Sequence, residues 1–289
     1  MDEWIKRPIP LVVVIGGGEL GSATAHRLVR SGLKVVATDI ARPKCIRRKV
    51  CFATAVIEGQ TEVEGLRVRH IAAADDALTL IRSGEVPLLT SDYRKVCSKI
   101  RPDIVVDARM TKTESDISRG IAPLVIGLGP GFEAGRNVDA VVETMRGHDL
   151  GRVIYKGSAA AFTGVPGMIG GLTSERVIRS PQSGILESKA EIGDMVKKAD
   201  VVAVVRAGRG GGRAGSKDGG RAGKRGEVRA PISGLLRGLI SGGSKVRKGQ
   251  KIGDVDPRGR HIDPATISDK GRAVAGGVLE AIMHWWKGK

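Results

Sequence analysis

The stretch Leu11–Ile40, LVVVIGGGELGSATAHRLVRSGLKVVATDI, decides the fold of this chain. It opens with a short, valine-rich apolar run, Leu11–Ile15, which is typical of a strand buried on both faces of a parallel sheet. Apolar residues at helical spacing then follow as far as Gly32, and a second apolar run, Lys34–Thr38, ends in Asp39. The order strand, helix, strand predicts a βαβ unit at the start of an α/β domain.

Three glycines between the first strand and the helix fit the pattern G-x-G-x-x-G: Gly16, Gly18 and Gly21. In that pattern the first glycine allows a tight turn, the second lets the backbone approach a pyrophosphate, and the third lets the helix pack closely. Asp39 lies about 20 residues further on, where an acid accepts hydrogen bonds from a ribose. We therefore predict a Rossmann-like domain that binds a nucleotide through Gly16, Gly17, Gly18, Glu19, Leu20, Gly21 and Asp39. A βαβ unit that keeps its glycines for packing alone is the alternative.

The choice between NAD and NADP stays open in the sequence. Asp39 favours a free ribose, whereas an arginine nearby can serve a 2′-phosphate. Four basic residues follow Asp39 closely: Arg42, Arg47, Arg48 and Lys49. Solvation of a loop explains these four residues equally well.

The strand and helix patterns continue beyond this unit. Helices are predicted over Ala72–Ser83 and Asp92–Lys99, and strands over Val86–Leu89 and Asp103–Asp107. Asp107, Arg109 and Lys112 follow the last of these strands, at the edge where open α/β sheets bind ligands.

A second glycine-rich turn follows a strand-like run at Pro123–Ile126. Its glycines are Gly127, Gly129 and Gly131, and backbone amides in such a turn can form a nest for an anion. Arg146, which can donate hydrogen bonds to a phosphate, lies close in sequence to His148 and Asp149, which are candidates for acid or base catalysis. Adjacent residues on extended chain point to opposite faces, so a structural turn histidine is the alternative for His148.

Composition bounds the class of protein. The 289 residues favour two domains, and a hydrophobic content of 41% suffices for real cores. The three cysteines are odd in number and lack metal-ligand spacing, so we predict neither a disulfide framework nor a metal site. The amino terminus, MDEWIKRPIP, carries early acids, and no apolar run approaches the roughly 18 residues of a membrane helix. A cytoplasmic protein without a membrane segment is expected.

The net charge is +17, and most of it lies after Glu175. A basic patch favours polyanions, but aromatic residues make up 3% of the chain, so platforms for base stacking are scarce. We therefore expect a small phosphate-containing ligand rather than nucleic acid. The sequence leaves the oligomeric state open, a homo-oligomer included.

An internal repeat appears when the chain is shifted by 50 residues, which aligns Ile178–Val205 with Val228–Val255 without a gap. Pro-x-Ser-Gly and a later glycine turn recur in both halves, so each half should form the same small set of strands. This arrangement resembles the biotinyl and lipoyl carrier domains, which are barrel-sandwich hybrid folds. The basic, glycine-rich segment 206–227 interrupts the two halves and is expected to be a flexible insertion. It contains Lys217 and Lys224 without the Met-Lys context of a carrier.

The chain closes with an amphipathic pattern over Lys270–Trp286, which predicts a helix. The expected architecture is a Rossmann-like parallel-sheet domain, a small all-β domain of the barrel-sandwich hybrid type and a C-terminal amphipathic helix. The expected limits are 1–174, 175–260 and 261–289.

Several longer motifs carry a family resemblance. They are VIGGGELGSATAHRL from Val14, APLVIGLGPGF from Ala122, ETMRGHDLGRVI from Glu143, TGVPGMIGG from Thr163 with TSERV from Thr173, the paired RSPQSG and RAPISG, IGDVDPR from Ile252 and ISDKGRAVAGGVLEAI from Ile267. Over nearly its whole length the chain resembles the accessory family of selenium-dependent molybdenum hydroxylase systems, called YqeB type. The segment 206–227 departs from that family's pattern.

The resemblance implies a maturation factor for molybdenum hydroxylases. Its partners would be the hydroxylase apoenzyme or cofactor-maturation proteins, and its ligand a nucleotide, NAD or NADP, or a molybdopterin-type cofactor. An NAD(P)-dependent oxidoreductase with an unknown small substrate is the alternative.

Overall fold

The computed structural model describes residues 8–111, 113–164, 167–207 and 225–288 of the chain. These residues divide into two compact units. The first contains the described residues up to Pro43, those of Lys49–Gly164 and those from Ala265 onward; the second contains Lys44–Arg48 and the described residues between Val165 and Pro264. The limits 1–174, 175–260 and 261–289 stay sequence-based predictions.

The first unit combines helices with a large sheet. Its helices are α1 Glu19–Arg30, α2 Thr54–Glu58, α3 Ala77–Arg82, α4 Tyr93–Ile100 and α5 Asp269–Lys287. Its strands are β1 Leu11–Ile15, β2 Lys34–Thr38, β3 Gln60–Val63, β4 Leu66–Ile71, β5 Val86–Leu89, β6 Ile104–Asp107, β7 Leu124–Leu128, β8 Glu133–Ala134, β9 Ala140–Val142, β10 Val153–Ile154 and β11 Gly157–Ser158.

Nine of these strands form one sheet in the order β10-β9-β7-β6-β1-β2-β5-β4-β3. The strands from β9 to β4 in this order pair in parallel, and antiparallel pairs occur at the two edges. If β1, β2, β5, β6, β7 and β9 are counted along the chain, their spatial order is the 3-2-1-4-5-6 of doubly wound nucleotide-binding sheets. The first unit is therefore Rossmann-like, and the order of strands reverses between β1 and β6.

Alternate residues of β1 enter the cores on the two faces of this sheet. Val12 and Val14 join α1 and α5 on one face, and Val13 and Ile15 join residues of α4 on the other. Helix α5 packs against α1 and over β7, β9 and β10. The end of the chain thus supplies a helix layer to the first unit.

The second unit is built from eight short strands: β12 Val177–Arg179, β13 Gly184–Ser188, β14 Met195–Val196, β15 Val201–Arg206, β16 Arg225–Arg229, β17 Gly234–Leu239, β18 Lys245–Val246 and β19 Lys251–Asp256. They form two four-stranded sheets, β12-β19-β17-β14 and β16-β15-β13-β18. A shift of 50 residues exchanges β12 with β16, β13 with β17, β14 with β18 and β15 with β19, and so converts one sheet order into the other.

Hydrogen bonds repeat with the same shift. The Gly193 amide donates to the Leu236 carbonyl at 2.9 Å, and its counterpart Gly243 donates to Leu186 at 2.8 Å. Because each half donates to the other, the two halves interlock and share one core. Among the described residues, no helix is long and apolar enough to cross a membrane.

Candidate functional site

The turn between β1 and α1 is closed by backbone contacts. The Gly16 amide donates to the Thr38 carbonyl at 2.7 Å, and Gly16 has a φ of +99°, which favours glycine. A Cβ on Gly16 would lie 3.2 Å from the carbonyl carbon of Ala108. The turn therefore occupies the point where the strand order reverses, which is the usual ligand site of open α/β sheets.

Gly18 and Gly21 differ in their surroundings. A Cβ on Gly21 would lie 1.8 Å from the Gly16 carbonyl oxygen, so α1 packs directly on the turn. A Cβ on Gly18 would meet nothing within 4 Å. Gly18 is the N-cap residue of α1 and has an extended backbone. It has no side chain that could accept hydrogen bonds from the first helical amides. The backbone is therefore open to an incoming group where the motif places a pyrophosphate.

Asp39 lies directly after β2 and is held by this turn. Its Oδ2 accepts from the Gly17 amide at 2.7 Å, and its Oδ1 accepts from the Ile40 amide at 2.7 Å. Burial raises the pKa of Asp39 above its ordinary value, while the two amides oppose that shift. A carboxylate oxygen can accept more than one hydrogen bond, so Asp39 keeps capacity for a ribose hydroxyl.

Ser22, which the sequence pattern does not single out, connects the turn to the start of α2. Its buried hydroxyl donates to the Gly17 carbonyl at 3.0 Å and accepts from the Phe52 amide at 2.7 Å. The Ala53 amide also donates to the Gly17 carbonyl, at 2.9 Å. Because these partners are distant in sequence, no local pattern predicts the contact.

A cavity of about 320 Å³ opens at the N-terminus of α1. It is lined by Gly18, Glu19, Leu20, Ala108, Arg109, Met110 and Lys270. Met110 has a φ of +54°, which is uncommon for a residue other than glycine and recurs at functional sites. The volume lies within the usual range for ligand pockets, about 300–1,000 Å³.

Beside this cavity, a fully buried carboxylate at the end of β6 organises a polar cluster. Asp107 accepts from the Arg109 guanidinium through both oxygens, at 2.9 and 2.6 Å, and from the Ser115 hydroxyl at 2.9 Å. Arg109 also donates to Asp116 at 2.7 Å and lies over the Tyr93 ring. These carboxylates raise the pKa of Arg109, which stays charged. The sequence pointed to Asp107 and Arg109 by position alone and missed Ser115 and Asp116.

The second glycine-rich turn is filled by protein atoms. A Cβ on Gly127 would lie 2.2 Å from the Phe132 ring, and one on Gly129 would lie 2.5 Å from the Thr144 hydroxyl. A Cβ on Gly131 would lie 2.5 Å from a backbone oxygen of Thr113. Close packing therefore accounts for Gly127, Gly129 and Gly131 without a ligand, and their predicted role as an anion nest stays a prediction.

The remaining predicted site residues lie in an exposed loop: Arg146, His148 and Asp149. Arg146 forms two hydrogen bonds with Asp269, at 2.6 and 2.9 Å, next to the start of α5. His148 is exposed in a turn, and the neighbouring Asp149 accepts from Arg152 at 3.1 Å. A catalytic role for His148 and Asp149 stays a prediction to which these contacts add nothing.

The basic residues after Asp39 separate into two groups. Arg47 is buried and donates to the Pro264 carbonyl at 3.5 Å, and Arg48 donates to the Leu239 carbonyl at 2.9 Å. Both contacts lie inside the second unit. Arg42 and Lys49 belong to the first unit and are exposed.

Some sequence-based expectations fall outside the described residues. These are Lys112, Lys217, Lys224, most of the insertion 206–227 and the first seven residues. Within the described ranges, no group of three or more His, Cys, Asp or Glu residues is arranged to hold a metal ion.

Comparison with known proteins first defines a class. The TrkA-N domain family matches residues 12–127, which include the glycine turn, Asp39 and the Asp107 cluster. TrkA-N domains are Rossmann-like and generally bind NAD(P)-type nucleotides. The chain therefore contains a domain of a nucleotide-binding class.

A curated relative refines this assignment. The chain is 42% identical over 273 residues to the uncharacterized protein YqeB of Escherichia coli strain K12, with 94% of the chain and 47% of the relative aligned. This identity supports membership of the YqeB family. The chain spans about half the length of that relative.

Solved structures add little. An aspartoacylase family protein from Mesorhizobium loti aligns over 86% of this chain and 85% of its own, with 11% identity and a TM-score of 0.26. The ectoine utilization protein EutE from Ruegeria pomeroyi, in a product-bound structure, aligns over 86% and 85% with 10% identity and the same TM-score, 0.26. Superpositions this loose support no conclusion about fold or activity.

Proposed function

We propose that the first unit binds NAD at the Gly16–Gly21 turn. The observation that carries this proposal is the open space at Gly18, at the N-terminus of α1 and at the reversal point of the sheet. A helix N-terminus with unpaired amides favours a phosphate. Asp39, tied to Gly17 at 2.7 Å, would accept hydrogen bonds from the adenine-side ribose.

The surroundings of Asp39 support NAD over NADP. A 2′-phosphate would bring negative charge next to the carboxylate, and it needs a nearby cation in compensation. Arg47 and Arg48 bind backbone carbonyls of the second unit. Of the four basic residues after Asp39, the exposed Arg42 and Lys49 of the first unit are the two that remain to compensate a 2′-phosphate.

Calorimetric titration of the purified chain with NAD, NADP, ADP-ribose and molybdopterin species tests this proposal. We expect saturable 1:1 binding of NAD, with NADP weaker by roughly tenfold or more, about 1.4 kcal/mol. Absence of saturable NAD binding, or a preference for molybdopterin, would overturn it. Absorbance of the nicotinamide ring in the presence of candidate substrates separates an oxidoreductase from a binding protein.

The wider role that we propose is maturation of selenium-dependent molybdenum hydroxylases in the cytoplasm. Its support is the set of long motifs shared with the accessory family, and not the nucleotide site itself. In this proposal the second unit has the barrel-sandwich hybrid fold and contacts the hydroxylase or another maturation protein. A strain that lacks the chain should contain hydroxylase with reduced activity and reduced molybdenum occupancy, both restored by the wild-type chain. Normal occupancy without the chain would refute this role.

A further inference from the structure

Lys270 brings a positive charge to the nucleotide cavity from the far end of the chain. It is the second residue of α5 and lines the cavity together with Gly18, Glu19 and Leu20 of the α1 N-terminus. Sequence spacing does not suggest this meeting, because α5 follows the whole second unit in the chain.

Several contacts hold the start of α5 in place, the Arg146–Asp269 pair among them. The Ser268 hydroxyl caps the helix by accepting from the Gly271 amide at 3.1 Å. A Cβ on Gly271 would lie 3.0 Å from the Cβ of Ala23, so α5 packs tightly on α1 at this point. Glu64 accepts from the Ile267 amide at 2.8 Å. Lys270 therefore stands on a fixed scaffold beside the turn.

The Lys270 ammonium lacks a close protein partner. Among the described residues it makes no ion pair and no hydrogen bond, although it is half-buried. Glu143 attracts it, but the Glu143 carboxylate already accepts from the amides of Thr144, Met145 and Ala160, each at 2.7 Å. Glu19 and Asp269 also attract Lys270, yet burial and the nearby Arg146 lower its pKa.

The α1 N-terminus and the Lys270 ammonium therefore line one cavity, together with Glu19 and with Arg109, which is paired with Asp107 and Asp116. The unsatisfied amides at a helix start carry a partial positive charge, and α1 begins at this cavity. A diphosphate offsets the α1 N-terminus and the Lys270 charge at once, whereas an uncharged nucleoside offsets neither.

We infer that Lys270 binds a phosphate of the ligand above Gly18, so that the cavity selects diphosphate-containing nucleotides over nucleosides. This inference rests on the proposed NAD site and names the residue that gives it phosphate selectivity. It also assigns a binding role to the C-terminal helix.

The test compares NAD, ADP-ribose and adenosine on the full chain and on the variants Lys270→Met, Lys270→Arg and Lys287→Met. Lys287 is the matched control, since it is exposed and is the last residue of the same helix. We expect Lys270→Met to weaken NAD and ADP-ribose by roughly 10- to 100-fold, the usual effect of losing a hydrogen bond to a charged group. Adenosine affinity should stay within about twofold, and Lys270→Arg should retain most of the NAD affinity. Lys287→Met should behave as the wild type.

The outcomes are distinguishable. If the wild type binds NAD and Lys270→Met binds it equally well, the inference about Lys270 is wrong and the NAD site stands. An equal loss for NAD and adenosine, or a lowered unfolding temperature, assigns Lys270 a structural role and also overturns the inference. If the wild type binds none of the three ligands, the proposed function fails and the inference fails with it.

Discussion

Two glycine-rich turns follow parallel strands of the same sheet, and they differ in what surrounds their glycines. In the turn after β1, the position of a Cβ on Gly18 is empty to 4 Å. In the turn after β7, a Cβ on Gly127 would clash with Phe132 and one on Gly129 with Thr144. A Cβ on Gly131 would clash with a backbone oxygen. A glycine pattern therefore predicts a tight turn, and the space at the missing Cβ shows which of its glycines close packing requires.

The first turn itself contains both kinds of glycine. Gly21 is required by packing, since its Cβ would lie 1.8 Å from the Gly16 oxygen, whereas Gly18 is free of such contact. Substitutions at Gly18 should therefore affect ligand binding, and substitutions in the second turn should affect stability.

The largest effect is expected for Gly18→Asp. Its backbone, with φ −72° and ψ −175°, suits any residue, and Asp is a preferred N-cap, so the fold should be retained. The new carboxylate would occupy the phosphate position, and NAD affinity should fall by at least roughly 100-fold, about 2.7 kcal/mol. Titration calorimetry measures the loss, and an unchanged melting temperature serves as the control. Retained NAD affinity would mean that Gly18 is not at the phosphate.

The opposite behaviour is expected for Gly129→Ala. Gly129 has a φ of +76°, and a Cβ would lie 2.5 Å from the Thr144 hydroxyl. The free energy of unfolding should fall by about 2–4 kcal/mol, from backbone strain and overpacking together. Denaturant titration measures this loss, and adding Thr144→Ala should recover part of it. NAD affinity of the folded variant should be unchanged; a selective loss of affinity would make the second turn a ligand site.

A smaller effect on NAD affinity is expected for Asp39→Asn, which tests whether the first turn binds the ribose. The amide side chain cannot accept from both Gly17 and Ile40 as the carboxylate does, and it is a weaker acceptor for a ribose hydroxyl. NAD affinity should fall roughly tenfold, while NADP affinity falls less, because a repulsive charge is removed. If NAD affinity stays the same, Asp39 does not contact the ribose.

The smallest effect on NAD affinity is expected from the protonation of Asp39 as the pH is lowered. Burial raises its pKa above 3.8, so this group favours the folded apo protein at acidic pH and loses that contribution as pH rises through the raised pKa. The pH dependence of NAD affinity has the opposite sign, because protonation of Asp39 removes a hydrogen-bond acceptor for the ribose. Affinity measured from neutral pH down to roughly pH 4.5 should fall in the wild type and stay flatter in Asp39→Asn. Parallel curves for the two proteins would contradict this.

The sequence predicts the centre of the first unit closely. The predicted strands Leu11–Ile15, Lys34–Thr38 and Val86–Leu89 have the same limits as β1, β2 and β5. Fully buried parallel strands are continuous apolar runs, and glycines limit them sharply, so periodicity is sufficient. The short helices are predicted less well: the stretch Ala72–Ser83 contains a 3-10 turn before α3.

Contacts between distant parts of the chain were not predictable. Ser22 meets Phe52, and Lys270 meets the α1 N-terminus, although neither pair shares a local pattern. The repeat indicated equivalent halves, but not that each sheet would mix strands from both halves. The sequence left open whether Arg47 and Arg48 serve a 2′-phosphate or solvate a loop, and it did not predict that they bind carbonyls within the second unit. Such contacts depend on tertiary packing, which local propensity does not encode.

Amide hydrogen exchange of the full chain with and without NAD tests the central claim most directly, because it monitors both glycine turns at once. We predict that NAD slows exchange in the segment that contains Gly16–Gly21 and leaves the segment that contains Gly127–Gly131 unchanged. Slower exchange in the second segment with no change in the first would contradict the distinction between an open and a filled turn.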